Sequence, residues 1–200
     1  MLTIVVSVGL LVRVAQGKQA AEERERRLFD RARNPRAGLY VPIYETVSSA
    51  GEAVRLGQPD AGTRQVLLFF NTTCPYCVNS VPTWNALTDL ADSRDDVTAV
   101  GVALDSTHLV TAYRSDHDLR YPVVELDDPR FVRLFRVTTV PLTMVIEPDG
   151  RVAYVRRGQF ASQVFVDSVR AVLDQPILES PERPLEVPSV GEVGEVPAAR

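Results

Sequence analysis

Cysteine is scarce in this 200-residue chain, and so are histidine, methionine and tryptophan: two Cys, two His, two Met and one Trp. Two cysteines cannot staple a small multi-disulfide scaffold, and a tetrahedral zinc site would lack its remaining Cys or His ligands nearby. No excess of basic residues exists either. Lys and Arg together number 22 against 26 acidic residues, for a net charge of −4. Nucleic-acid binding by phosphate neutralisation therefore has no electrostatic footing. Long apolar runs are also missing. The stretch from Met1 to Ala15, apolar except at Thr3, Ser7 and Arg13, would extend about 22 Å as a helix, short of a hydrocarbon core of roughly 30 Å.

What is present suits one globular domain with extensions: 45% of residues are hydrophobic and 24% charged, and the length is near that of a single domain of about 150 residues. Composition divides the chain into four parts. Residues 1–17 read as an uncleaved N-terminal membrane anchor whose full span would need upstream residues or thinning of the bilayer. A signal peptide should open with a basic stretch and close on a small-residue cleavage site, of which Ala15-Gln16-Gly17 is a poor version. A buried core helix is the other alternative. Residues 18–37 read as a charged helical spacer: Lys18 to Arg36 holds seven basic and four acidic residues, and Glu22, Glu23 and Glu25 lie near Arg26, Arg27 and Arg31 at helical spacings. By the positive-inside rule this flank prefers the cytoplasmic side. Residues 38–175 carry the strand and helix patterns. The remainder, 176–200, has five Pro and five Glu and no aromatic residue, the composition of a disordered tail.

Within 38–175 the periodicities are specific. Tyr40–Val47 and Ala53–Leu56 flank the turn-rich Ser48-Ser49-Ala50-Gly51-Glu52 and predict a β-hairpin. Gln65–Phe70 is a short, continuous apolar run, as expected of a central strand covered on both faces. Val78, Val81, Trp84, Leu87 and Leu90 recur at three-residue steps and predict an amphipathic helix that Pro82 kinks. Val97–Leu104 predicts a second buried strand, Thr107–Asp116 a helix, Tyr121–Leu126 a short extended segment and Pro129–Val137 another helix. Leu142–Glu147 and Arg151–Val155 predict two strands around Pro148-Asp149-Gly150, and Ala161–Leu173 predicts a closing helix. This order implies the α/β class: a three-layer α/β/α sandwich with a mixed central sheet and an extra N-terminal β-hairpin.

The two cysteines form Cys74-Pro75-Tyr76-Cys77 where the central strand passes into a helix. Unpaired N–H groups at a helix N-terminus favour a thiolate, the attacking species in disulfide exchange, so Cys74 is the expected nucleophile. Cys77, one turn on, can reach its sulfur and resolve a mixed disulfide. Pro75 fits the first turn because its missing N–H would have no partner there. Two alternatives compete: unrelated buried cysteines, or half of a metal site completed by His108 and His117. Neither suits the strand-to-helix context, and no metal is expected.

At these residues the chain resembles the thioredoxin superfamily, and within it the TlpA/ResA-like redoxins, membrane-tethered thiol-disulfide oxidoreductases. The resemblance covers roughly Val41 to Asp174. It rests on Val66-Leu67-Leu68-Phe69-Phe70-Asn71-Thr72-Thr73-Cys74-Pro75-Tyr76-Cys77, on Pro82, on Phe135-Arg136-Val137-Thr138-Thr139-Val140-Pro141-Leu142-Thr143, and on the hairpin Val145–Val152. It implies a thioredoxin-like fold and a cis Val140–Pro141 bond facing the cysteines, with Pro75, Tyr76, Val140 and Pro141 contacting the substrate. No cofactor is implied beyond the redox-active disulfide itself. Expected partners are protein thiol or disulfide substrates, a membrane electron donor, and the membrane through the N-terminal anchor. The implied location is the extracytoplasmic (periplasmic) face, against the charge of the flank. The implied role is that of a reductase in a cytochrome c maturation-like or metalloprotein assembly pathway.

The chain also departs from the family. Leu68 stands where thioredoxins carry a buried Asp, and Gly101 where a Lys would lie. Proton transfer from Cys77 must then use water, Thr72 or Thr73, or a residue such as Glu147. Two other functions stay open. One is a redoxin-type thiol peroxidase, which needs an Arg beside the reactive Cys. The other is a non-catalytic thioredoxin-like interaction module whose cysteines merely bridge.

Overall fold

The computed structural model describes residues 2–105, 107–126, 128–159 and 162–177. A long helix, α1 (Leu2–Arg33), precedes a two-stranded antiparallel hairpin of β1 (Tyr44–Val47) and β2 (Ala53–Leu56). There follow β3 (Arg64–Phe70), α2 (Pro75–Val78), α3 (Val81–Asp92), β4 (Val97–Ala103), α4 (Thr107–Asp116), β5 (Val123–Glu125), α5 (Pro129–Leu134), β6 (Leu142–Ile146), β7 (Val152–Arg157) and α6 (Gln163–Leu173). The main sheet has the order β5-β4-β3-β6-β7. Its β3/β4 and β4/β5 pairs are parallel, and β3/β6 and β6/β7 are antiparallel. This is a thioredoxin-like α/β fold with a mixed sheet and a small N-terminal hairpin.

All seven residues of β3 are buried, and their alternation divides the interior. Val66, Leu68 and Phe70 face α3, α4 and α6 through Trp84, Leu87, Val110, Tyr113, Phe165 and Val169. Leu67 and Phe69 face α5 and the hairpin side through Phe131, Phe135, Val41 and Leu56. The turn between β6 and β7 works as its Asp-Gly suggests: Gly150 has φ 82 and donates to the Glu147 carbonyl at 2.9 Å.

Several details differ from the sequence expectation. Pro82 does not kink one helix; it separates two. Continuing α2 through Pro82 would require a Pro82 N–H directed at the Val78 carbonyl, and proline has none, so α2 stops at Val78 and α3 starts anew with Pro82 in its first turn. The helix expected to reach Val137 ends at Leu134, because Arg136 adopts φ 54. The apolar N-terminal stretch and most of the charged spacer belong to one continuous helix, α1. Among the described residues no helix is long and apolar enough to cross a membrane. The tail expected over 176–200 lies almost wholly outside the described residues.

Glu147 is not near the cysteines. Gln65 pairs with Ile146, so Glu147 sits beside Arg64 at the start of β3, whereas Cys74 follows its end. There Arg64, 1% exposed, donates from Nε to Glu147 Oε2 at 3.0 Å and from a terminal nitrogen to the Leu173 carbonyl at 2.8 Å. This buried ion pair ties β3 to β6 and to the end of α6. Removing one charge from such a pair strands the other in the interior. Glu147→Gln should therefore lower unfolding free energy by about 3 kcal/mol in urea titrations, with no change in the alkylation rate of Cys74. A slowed thiol with unchanged stability would refute this placement.

Candidate active site

Phe70 ends the buried strand, and the chain turns through Asn71-Thr72-Thr73 before α2 begins. The turn is held from its own side chains and from the neighbouring strand. Asn71 Oδ1 accepts from the Thr73 amide at 3.0 Å and from its hydroxyl at 2.6 Å, and the Cys74 amide donates to the Asn71 carbonyl at 3.1 Å. Asp105, two residues past the end of β4, accepts from Asn71 Nδ2 at 2.6 Å and from the Thr72 amide. One carboxylate thus clasps the loop that delivers the first cysteine.

Cys74 occupies the N-cap of α2 in extended conformation, with Pro75 at the first helical position. Its carbonyl accepts from the Cys77 amide at 3.0 Å and the Val78 amide at 3.3 Å. The helix is a single turn, so what separates the two sulfurs is their surroundings rather than a long dipole. Both thiols are free; Cys74 is half-buried and Cys77 is 0% exposed. Burial pushes the Cys77 thiol well above its ordinary range, and its hydrogen bond with Cys74 and the nearby Asp105 charge push the same way. The Asn71 backbone works in the opposite direction. Cys77 is therefore held as a protonated thiol behind an accessible one.

Beneath the pair, the position that resemblance would give to an acid and a lysine is filled by carbon. Leu68 pairs with Gly101, and a β-carbon on Gly101 would stand 2.6 Å from the Tyr121 ring. Glycine is needed here so that this ring can pack against the strand. Tyr113 stacks on Phe70 at 5.3 Å between centroids and meets His117 edge-on at 4.4 Å. Among the described residues the buried Tyr113 and Tyr121 hydroxyls have no hydrogen-bond partner. Both are pushed well above the usual tyrosine range, first by burial.

Sequence reasoning missed Asp105, Tyr113 and Tyr121. Tyr113 shares an apolar helix face with Val110, a recognisable signal, but nothing local ties Asp105 to a loop 33 residues earlier. Of the acceptors it did raise, the Thr73 hydroxyl is engaged with Asn71, and among the described residues the buried Thr72 hydroxyl has no partner. His117 packs on Tyr113, and the His108 side chain lies outside the described residues. Among the described residues no group of three or more His, Cys, Asp or Glu could hold a metal.

The remaining expected site residues reach the same end of the sheet. Leu142 pairs with Phe69, so Val140 and Pro141 emerge beside the end of β3. The Val140–Pro141 bond is cis. Half-buried Val140 packs against the cluster that contains Cys77, as do Cys74 and Val78. The Pro141 carbonyl accepts from Gly158 at 2.9 Å, and Trp84 Nε1 donates to Thr143 Oγ1 at 3.1 Å, which pins α3 to the strand after Pro141. Tyr76, between the cysteines, is 60% exposed, and Pro75 is exposed beside it.

The Redoxin family model matches residues 35–173, beginning just past α1. No curated protein matches the chain significantly. Among solved structures, the chain is similar to a thioredoxin-family thiol:disulfide interchange protein from Chlorobium tepidum TLS, with 25% identity, a TM-score of 0.57, and coverage of 70% of this chain and 99% of that one. StoA from Bacillus subtilis gives 18% identity, a TM-score of 0.57 and coverage of 66% and 97%. The thioredoxin domain of a thiol-disulfide oxidoreductase from Bacteroides vulgatus gives 15%, 0.58, and 69% and 98%.

The difference between the sulfurs has a direct readout. In the reduced protein at pH 8, iodoacetamide should modify Cys74 at least about tenfold faster than Cys77. Cys77 should gain reactivity as pH rises, because its raised pKa leaves little thiolate near neutrality. Site-resolved mass spectrometry showing equal rates would contradict this asymmetry.

Proposed function

The chain belongs to the Redoxin family, and from that premise we propose that it exchanges disulfides with protein substrates through Cys74 and Cys77, the first attacking and the second resolving. The observation that carries this reading is the pairing of an accessible and an enclosed sulfur at one strand-to-helix junction, with Tyr76 exposed between them and the Val140–Pro141 segment at the same end of the sheet. Thiol-disulfide oxidoreductase is the activity to which the family and the similar interchange proteins point.

In the reducing direction, the Cys74 thiolate attacks one sulfur of a substrate disulfide. One S–S bond breaks, one substrate thiolate leaves, and Cys74 is joined to the other substrate sulfur. Cys77 then loses its proton and attacks Cys74, expelling the second substrate thiolate and closing the Cys74–Cys77 disulfide. Two electrons pass from the protein pair to the substrate, and the pair itself is the whole redox group. Burial of Cys77 keeps it protonated until a mixed disulfide forms beside it, which protects the first step from competition. The Cys77 proton leaves by the polar rim of the loop that Asp105 clasps.

An extracytoplasmic location, anchored through residues 1–17 and recharged by a membrane electron donor, completes the reading. Its support is the apolar composition of Met1–Ala15 and the resemblance to membrane-tethered redoxins. Reduction of a cysteine pair during cytochrome c maturation or metalloprotein assembly is the corresponding role. A peroxidase reading is less well supported: peroxide activation calls for a cation beside the reactive sulfur, and no arginine is close to Cys74 in the sequence.

Cys77→Ser should accumulate mixed disulfides through Cys74, whereas Cys74→Ser should accumulate none and should lose insulin-reducing activity by roughly 10³-fold or more. Equal trapping by both variants would reverse or abolish the assigned roles, and inertness of both thiols would favour a non-catalytic module. In intact spheroplasts, a membrane-impermeant maleimide should label Cys74 of the full chain. Labelling that requires lysis would place the domain in the cytoplasm.

A further inference from the structure

Helix α5 ends in a reverse turn that glycine usually occupies. The Arg136 amide donates to the Arg133 carbonyl at 3.2 Å and the Val137 amide to the Val132 carbonyl at 2.9 Å, the paired bonds of a left-handed helix stop. The residue in the left-handed position is Arg136, with φ 54. A β-carbon is strained there and glycine is not, so the fold carries a cost that a glycine would remove. Such strain points to a use for the side chain.

That side chain lines an open groove of about 370 Å³ between the end of α1 and α5, together with Arg33, Arg133, Val132, Val137 and Thr138. Three arginines face this groove and no acidic residue lines it. Among the described residues the ion pairs use other cations, and Arg33 lies over the Phe29 ring at 5.0 Å. In a chain of net charge −4, this is a local concentration of unneutralised positive charge. The Thr138 hydroxyl bonds to Asn34 Oδ1 at 2.6 Å and fixes α1 to the rim. Thr138, on the groove's rim, is three residues from Pro141, at most about 11 Å of chain.

We propose that the groove of Arg33, Arg133 and Arg136 binds an acidic segment of the protein whose disulfide is exchanged, and that Arg136 is retained in its strained position for this contact. Guanidinium groups pair with carboxylates through parallel hydrogen bonds, and several on one wall select a run of Asp or Glu. A polypeptide suits the place better than a bilayer. Arg33 lies about 27 Å along α1 from Ala15, so a membrane holding the apolar end does not reach the groove. The inference rests on the thiol-exchange reading and adds the substrate's chemistry to it.

The test uses the full chain and two disulfide-containing peptides that differ in one flank, Asp/Glu-rich in one and Asn/Gln-rich in the other. The native protein should favour the acidic peptide by about tenfold in kcat/KM at low salt, a preference that 0.5 M salt erodes. Arg136→Gly should raise the melting temperature and yet reduce the preference to about threefold or less through KM. Arg133→Gln should reduce it similarly, and Arg136→Lys should restore part of it. Equal turnover of both peptides by the native protein would overturn the acidic-segment inference while leaving thiol exchange intact. Turnover of neither would overturn both. Equal turnover with Arg136-dependent binding to phosphatidylglycerol vesicles would assign the groove to lipid instead.

Discussion

Complete burial of β3 is the constraint on which the rest of this molecule depends. A strand with both faces enclosed must be flanked by paired strands and covered above and below, which accounts for its parallel partner β4, its antiparallel partner β6 and the two apolar clusters. The chain can meet solvent only where that strand stops. Asn71-Thr72-Thr73 is the exit, and its clasp to Asp105 fixes the direction in which Cys74 leaves the sheet. Reactivity at this junction follows from the position of the exit as much as from the residues that occupy it.

The two ends of β3 serve different purposes. At its start, Arg64 and Glu147 form a buried ion pair that joins β3, β6 and α6, an arrangement concerned with holding elements together. At its end, the charged group is half-buried and the neighbouring sulfurs differ in access. Between them, Leu68, Gly101 and the Tyr121 ring form an apolar floor beneath the cysteines. Such a floor raises the cost of charge on Cys77 and leaves the rim of the loop as the route for its proton. A carboxylate buried at Leu68 would have reversed that balance, with a proton acceptor inside the core.

Charge is distributed with the same economy around the catalytic end. Asp105 holds the loop from the β4 side, and the arginines of α5 lie toward the segment that leads to Pro141. Tyr76 is exposed between the cysteines, and half-buried Val140 packs against the same apolar cluster as Cys74. The candidate site thus combines apolar surface at the cysteine end of the sheet with the half-buried carboxylate that holds its loop.

Much of the architecture was legible in local pattern. The apolar run before Cys74, the three-residue spacing of the cysteines, Pro75 at the first turn and the Asp-Gly turn depend on neighbours within a few positions, and backbone geometry enforces such relations wherever the segment lies. Even Pro82 signalled an interruption, although a break rather than a bend was the outcome, because the missing N–H coincided with the end of a turn already closed by Asn79 and Ser80. Tertiary structure alone decided the rest. Strand register sent Glu147 to the far end of the sheet and set Leu68 against Gly101. Packing brought Tyr113 and Tyr121 beneath Cys77 and Asp105 onto a loop 33 residues away. These relations join residues distant along the chain, and their geometry is a property of the assembled core, to which no short window of sequence has access.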